Sequence, residues 1–202
     1  MDTIGLLVYV LLGLTSLVGL TFIVERAWAL RWNKVVPRQI ADTLDARDTA
    51  GDVEAIRAIC EQKPSPLGRL VLMAAEHLEW PKAENVEALQ VAARHEIVRL
   101  ERGLVVLEII VGIAPLLGLV GTIAGMMHVF GAVGQTGLND AAELASGIAF
   151  ILRATLFGLL IAIPSLIAWS YFTKKVEVLA AEMEALCDAF IRRQYSMQTG
   201  QV

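Results

Sequence analysis

Three apolar stretches organise this chain, with polar stretches of helical period between and after them. Ile4 to Val24 is a run of 21 residues without a charge, long enough to cross the ~30 Å hydrocarbon layer of a bilayer as a helix. A second run extends from about Leu104 to Val129, with Glu108 near its start and His128 near its end. A third, from about Leu144 to Tyr171, contains Arg153. Between them, Gly131 to Asp140 holds three glycines and an asparagine, which predicts a short loop. A cleaved signal peptide would want a basic residue before the first run and a small-x-small site after it. Asp2 precedes that run, and Glu25, Arg26 and Trp28 follow it, so it is expected to be a retained anchor.

Outside these runs the period becomes helical. Residues 35 to 103 are predicted to be helices punctuated at Pro37, Gly51, Pro64, Pro66 and Pro81. Lys82 to Arg102 lacks Gly and Pro, and Val86, Leu89, Val91, Ala92, Ile97, Val98 and Leu100 fall largely at helical spacing. Because this stretch leads straight into the second run, one long helix is expected to emerge from the membrane. After the third run, Val176, Leu179, Ala180, Met183, Leu186, Cys187 and Phe190 form an amphipathic stripe that must be buried. Packing within a bundle, rather than a ligand site, accounts for both stripes. The predicted fold is an all-α integral membrane protein with three transmembrane helices, at about 4–24, 104–129 and 144–171. Two of them extend into a cytoplasmic helical bundle. Residues 1–202 are expected to form a single domain, with 25–103 and 172–202 as its cytoplasmic portions.

Composition agrees with this layout. A mean hydropathy of +0.60 and 19% charged residues are too apolar for an ordinary soluble domain. The net charge of -4, without a basic stripe interleaved with aromatics, argues against nucleic acid. Residues 25 to 103 hold twelve of the seventeen Lys and Arg, residues 174 to 202 hold four, and the N-terminus and the 131–143 loop hold none. By the positive-inside rule the N-terminus lies outside and both basic regions are cytoplasmic. Trp28, Trp32, Trp169 and Tyr171 then fall near the cytoplasmic interface, where amphipathic rings are favoured. In that compartment Cys60 and Cys187 are expected as thiols, and two cysteines without nearby histidines make a poor metal site. His77, His95 and His128 are scattered, and no HExxH, nucleophile–base pair or phosphate-binding loop is present. Neither enzymatic activity nor a cofactor is expected.

Several residues inside the spans are not explained by lipid. Gly118, Thr122 and Gly125 share one helical face, and Gly121 with Gly125 adds a small-xxx-small spacing of the kind that lets membrane helices approach closely. Pro115 removes a backbone donor and predicts a kink or an exposed carbonyl at Val111. In the third span Gly147, Ala154, Gly158, Ala162 and Ser165 form a second small face, with Thr155 at its edge and Pro164 further on. Counting inward about seven to ten residues from the connecting loop brings Thr122 and Thr155 to similar depth. There they could line a hydrated path, although a threonine in a generic membrane helix back-bonds to the preceding turn. Arg153 costs roughly 2.5–3.5 kcal/mol at mid-span and lies ~200° from Thr155. It is assigned to pairing, with Glu143 or a neighbouring subunit, ahead of pore lining. Glu108 is either an interfacial charge or an acceptor at an inner ion exit.

Two segments, APLLGLVGTIAGMMHVF (114–130) and GIAFILRATLFGLLIAIPSLIAW (147–169), together with the ER of VERAWALR after the first span, resemble the MotA/TolQ/ExbB proton-channel family. The three-span layout resembles its ExbB/TolQ branch rather than the four-span flagellar stators. The resemblance implies a channel-forming subunit of an inner-membrane motor complex that turns ion-motive force into mechanical work on an envelope partner. It further implies a homopentamer whose second and third spans surround two single-span helices of an ExbD/TolR-like subunit. That subunit carries an intramembrane aspartate, beside which Thr122 and Thr155 would stand. A TonB/TolA-like protein is a candidate further partner. The chain departs from the pattern in two places. The family's glutamate five residues before the third-span threonine is here Phe150, and Arg153 stands where the family has an aliphatic residue. Either the partner's aspartate suffices or the branch is divergent, and sodium remains an alternative to the proton. A non-conducting scaffold, in which the small faces only pack subunits, is the other open reading.

Overall fold

The computed structural model describes residues 3–45, 53–136 and 141–199. Among them are eight helices and no strand. In chain order these are α1 (Thr3–Ala29), α2 (Trp32–Val35), α3 (Arg38–Asp45), α4 (Val53–Gln62), α5 (Pro66–Glu76), α6 (Lys82–Glu101), α7 (Leu104–Thr136) and α8 (Ala141–Thr199). The predicted all-α class holds, and α1, α7 and α8 are long and apolar enough to cross a membrane. The chain divides into two compact units, Met1–Arg26 with Gly103–Tyr171, and Ala27–Arg102 with Phe172–Val202. The long helix α8 contributes to both.

The first unit is built on close helix approach. Its buried positions mix small residues, Ala114, Ala154, Ala162 and Ser165, with larger ones, Val8, Leu12, Leu104, Leu107, Ile110 and Ile151. A Cβ on Gly19 of α1 would rest 3.4 Å from Ser165 Oγ and 3.5 Å from Ile110 Cδ1, so this glycine is where α1 comes near both other helices. Tyr9 meets Phe157 edge-on at 6.3 Å between ring centroids. Leu116, Leu119, Ile123, Leu156, Leu160 and Ile163 face outward, which suits an apolar surround but not water.

The second unit has an ordinary core. Leu179, Met183, Leu186, Cys187 and Phe190 of the predicted α8 stripe are all buried, against Val35, Ile40, Ile56, Leu70 and Val71 of α2–α5. Helix α5 starts where Ser65 accepts a hydrogen bond from the Gly68 amide at 3.1 Å and Pro66 occupies the first helical position. Helix α6 is held by Glu96, buried and paired with Arg69 and, at 3.1 Å, with Arg99. Tyr195 near the end of α8 donates to the Trp80 carbonyl at 2.8 Å and accepts from Asn85 Nδ2 at 3.2 Å, tying the α5–α6 corner to the helix.

Two boundaries differ from the sequence expectation. Helix α7 continues through Gly131 and Gly134 to Thr136, where a loop was expected; a Cβ at either glycine would meet nothing within 4 Å. Residues 137–140 of that loop, and the expected break at Gly51, lie outside the described residues. The single helix expected across 82–129 is two, parted at Arg102 and Gly103.

Cys60 and Cys187 are free and buried in the second unit's core. Burial, with a smaller contribution from Glu61, pushes the Cys60 thiol up to about 11 from 9.0. The folded state therefore binds the Cys60 proton more tightly than the unfolded chain does. Its stabilising contribution is complete below about pH 9 and is lost as pH rises toward 11. Neither thiol is expected to react with a soluble disulfide reagent in the native protein at pH 7, while both react after denaturation. Rapid native labelling at Cys60 would contradict the packed core.

Candidate functional site

The most confined part of the first unit is the crossing of α7 and α8, and it is made of the residues with least side chain. A Cβ built on Gly158 would lie 2.6 Å from the Ala114 carbonyl oxygen and 3.2 Å from Gly118 Cα. On Gly118 it would lie 2.9 Å from both the Ala154 carbonyl oxygen and Thr155 Cα. Further along, Gly121 would meet Ala154 Cβ at 2.7 Å and Val8 Cγ1 at 3.1 Å, and Gly125 would meet Ile151 Cγ1 at 2.5 Å. As numbers rise along α7 they fall along α8, so the helices run antiparallel with backbone against backbone at Gly118 and Gly158. Such contacts leave no room for a Cβ, which is why four glycines occur on these two faces.

Both threonines singled out from the sequence lie near this crossing. Thr155, half-buried, donates to the Gly118 carbonyl of the other helix at 3.4 Å. Thr122, one turn along α7 from Gly118, donates to Leu119 O of its own helix at 2.6 Å. Each hydroxyl has spent its single proton on a backbone carbonyl, and what remains on each oxygen is lone-pair capacity. As built, the pair can accept from a protonated or cationic guest; to serve an ionised carboxylate, each hydroxyl must rotate and donate. The exposed apolar side chains next to them in sequence are Leu119, Ile123, Leu152 and Leu156, with exposed Arg153 the nearby charge.

Other singled-out residues lie elsewhere. Arg153 is exposed, next to the buried Ala154 that faces α7. Glu108 is exposed beside the buried Leu107. The side chains of Phe150 and Glu143 lie outside the described residues, as does the Arg153–Glu143 pairing. Pro115 and Pro164 are both accommodated within continuous helices. Near Pro164, Ser165 Oγ donates to Ile161 O at 2.8 Å.

Two features escaped the sequence reading. Ala114, fully buried, supplies the carbonyl against which Gly158 packs; its signal was its place four residues before Gly118. The second is Arg26, whose side chain is 14% exposed and which bonds Glu25 through Nε at 2.5 Å and Nη2 at 2.7 Å. Its guanidinium lies where a Cβ on Gly103 would have to be. The break between α6 and α7 thus coincides with a glycine that makes room for an arginine, a pairing invisible in either local segment.

Fold and crossing together define a multi-span membrane protein with hydroxyls set into closely packed apolar helices. A family model described as the MotA/TolQ/ExbB proton channel family matches residues 62–185, including both threonines. The chain belongs to this family, and is thereby an inner-membrane protein of an ion-driven energising complex rather than a member of an enzyme family. The biopolymer transport protein ExbB of Neisseria meningitidis serogroup A is 29% identical, over 92% of this chain and 89% of its own. A protein named ExbB-like 1 from Synechocystis is 34% identical over 82% of this chain and 66% of its own. ExbB of Helicobacter pylori is 37% identical across 43% of this chain and 60% of its own.

Proposed function

We propose that the chain is the channel-forming subunit of a proton-driven motor, with Thr122 and Thr155 lining the ion path. The observation that carries this is that both hydroxyls lie near the Gly118 crossing, one bonded to the Gly118 carbonyl and the other one turn along the same helix, with exposed leucine and isoleucine beside them. In this reading the chain assembles as a homopentamer, N-terminus outside, around a single-span ExbD/TolR-like subunit whose aspartate carries the proton. A TonB/TolA-like protein takes up the work. While that aspartate is protonated, it donates to a threonine oxygen. When it ionises in low dielectric it needs donors, and the two hydroxyls leave their carbonyls to provide them. Glu108 is the candidate acceptor at the inner exit, and Arg153 pairs with an acid of another chain. Each proton crossing 100 mV supplies about 2.3 kcal/mol, so a few suffice to move a partner helix.

A non-conducting scaffold is the competing reading, favoured by one observation: both hydroxyls already satisfy backbone carbonyls, as packed membrane threonines do. Co-reconstitution with the single-span partner separates the two. Proton flux down an imposed potential is expected from the complex and not from this subunit alone. Liposomes that stay tight with both present would leave the scaffold standing, and sodium flux without proton flux would reassign the ion.

A further inference from the structure

In the second unit a cavity of about 640 Å³ opens between the start of α3 and the turn before α5. Its walls carry three cations, Lys34, Arg38 and Lys63, with Asn33, Gln39 and Ser65, and no carboxylate. That is unusual in a chain whose net charge is -4. Three like charges around one concavity repel each other and focus a positive field into it, a cost that an anion in the cavity removes. No ion pair is formed by Lys34, Arg38 or Lys63 among the described residues. The volume is that of a small-ligand cleft. Arg38 offers a planar fork suited to two oxygens of a phosphate, and the amides of Asn33 and Gln39 add neutral donors.

One wall is fixed at the membrane boundary. Lys34 Nζ sits 3.8 Å from the ring centroid of Trp28, and Trp28 lies in the last turn of the apolar span that runs Gly5–Ala29. Trp28 and Trp32 are 64% and 41% exposed, as expected of rings at headgroup level. Rings at headgroup level bring the cavity within reach of lipid phosphates.

We propose that this cavity is a binding site for the phosphodiester headgroup of an anionic membrane lipid, gripped by Lys34, Arg38 and Lys63. It rests on α1 spanning the membrane and is independent of ion conduction.

The test uses the full-length protein in nanodiscs of phosphatidylcholine alone or with a quarter phosphatidylglycerol. Lipid retained after detergent extraction is read by native mass spectrometry. Wild type is expected to retain phosphatidylglycerol in preference to phosphatidylcholine. The double variant Arg38→Gln/Lys63→Gln, having lost two surface-proximal cations, should bind it about thirty-fold more weakly. Lys174→Gln/Lys175→Gln, which removes the two lysines that follow the third span, should keep the wild-type preference, as should the charge-preserving Lys63→Arg. Helicity by circular dichroism serves as the folding check; if the double variant misfolds, Lys63→Gln alone is expected to weaken retention about five-fold. Equal retention of the two lipids by wild type would overturn the site. So would an unchanged preference in the cavity variant, or an equal loss in the Lys174/Lys175 variant. Displacement of the lipid by millimolar inorganic phosphate would overturn the lipid assignment in favour of a soluble anion.

Discussion

Gly158→Ala is expected to destabilise the first unit by about 1–3 kcal/mol, and Gly158→Leu to prevent the α7–α8 pair from forming. The added carbon would stand 2.6 Å from the Ala114 carbonyl oxygen and 3.2 Å from Gly118 Cα. Both are backbone atoms of a continuous helix, so no side chain can turn aside and the helices must separate. Separation also loses contacts at Gly118 and at Thr155, because the same register serves all three. A graded series follows from the neighbours alone. At Gly125 the obstruction is the Ile151 side chain, which can change rotamer, so alanine there should cost less than at Gly158. At Gly112 nothing lies within 4 Å, and alanine should be neutral or raise stability by up to about 1 kcal/mol through its helix propensity. Thermal unfolding of the detergent-solubilised protein, followed by loss of its monodisperse peak, orders these variants. Equal midpoints for Gly158→Ala and Gly112→Ala would mean that the crossing is not as described.

The sequence revealed most where one physical constraint dominates. The apolar runs had to be helices because lipid admits only helices and closed barrels, and runs of about twenty residues are twice the length of a barrel strand. The α8 stripe was equally legible, since Val176, Leu179, Met183, Leu186, Cys187 and Phe190 at threes and fours define one buried face. The stripe on α6 was legible as a helix but not as a partner. Leu89 is buried, whereas Val91 and Val98, seven apart on another side, are 53% and 64% exposed. Periodicity gives a face its existence and says nothing about what covers it. The loop at 131–136 failed for a different reason. Two glycines cost a helix about 1 kcal/mol each, but a helix leaving an apolar span gains more by keeping its backbone bonds than by breaking at them. Of the candidate site, the identity of the small residues and the approximate depth of the threonines could be counted from the chain. The direction of each hydroxyl could not. Thr155 bonds across to α7 and Thr122 bonds within it, a difference of register set by the contact at Gly118.

Thr122→Val and Thr155→Val are each expected to abolish force-dependent function while leaving assembly intact. Valine has nearly the shape of threonine, so the packing at Gly118 is preserved and the loss is one hydroxyl. Structurally that loss is small. The Thr155 bond is long, at 3.4 Å, the Thr122 bond is to its own helix, and membrane hydrogen bonds of this kind average about 0.6 kcal/mol. A stability change of that size alters the folded fraction negligibly. Chemically the loss is large, because a carboxylate that ionises beside one valine keeps only one of the two donors that make its charge tolerable. Its pKa then rises and proton release stalls. Flux through the co-reconstituted complex should fall more than ten-fold in either variant, and Thr155→Ser and Thr122→Ser should recover much of it by restoring the hydroxyl without the methyl. The serine arm decides between chemistry and packing. A packing role predicts that serine, which loses the methyl, is worse than valine, whereas an ion path predicts the reverse. Valine variants with undiminished flux would remove both threonines from the path and leave the small-residue crossing as a helix contact alone.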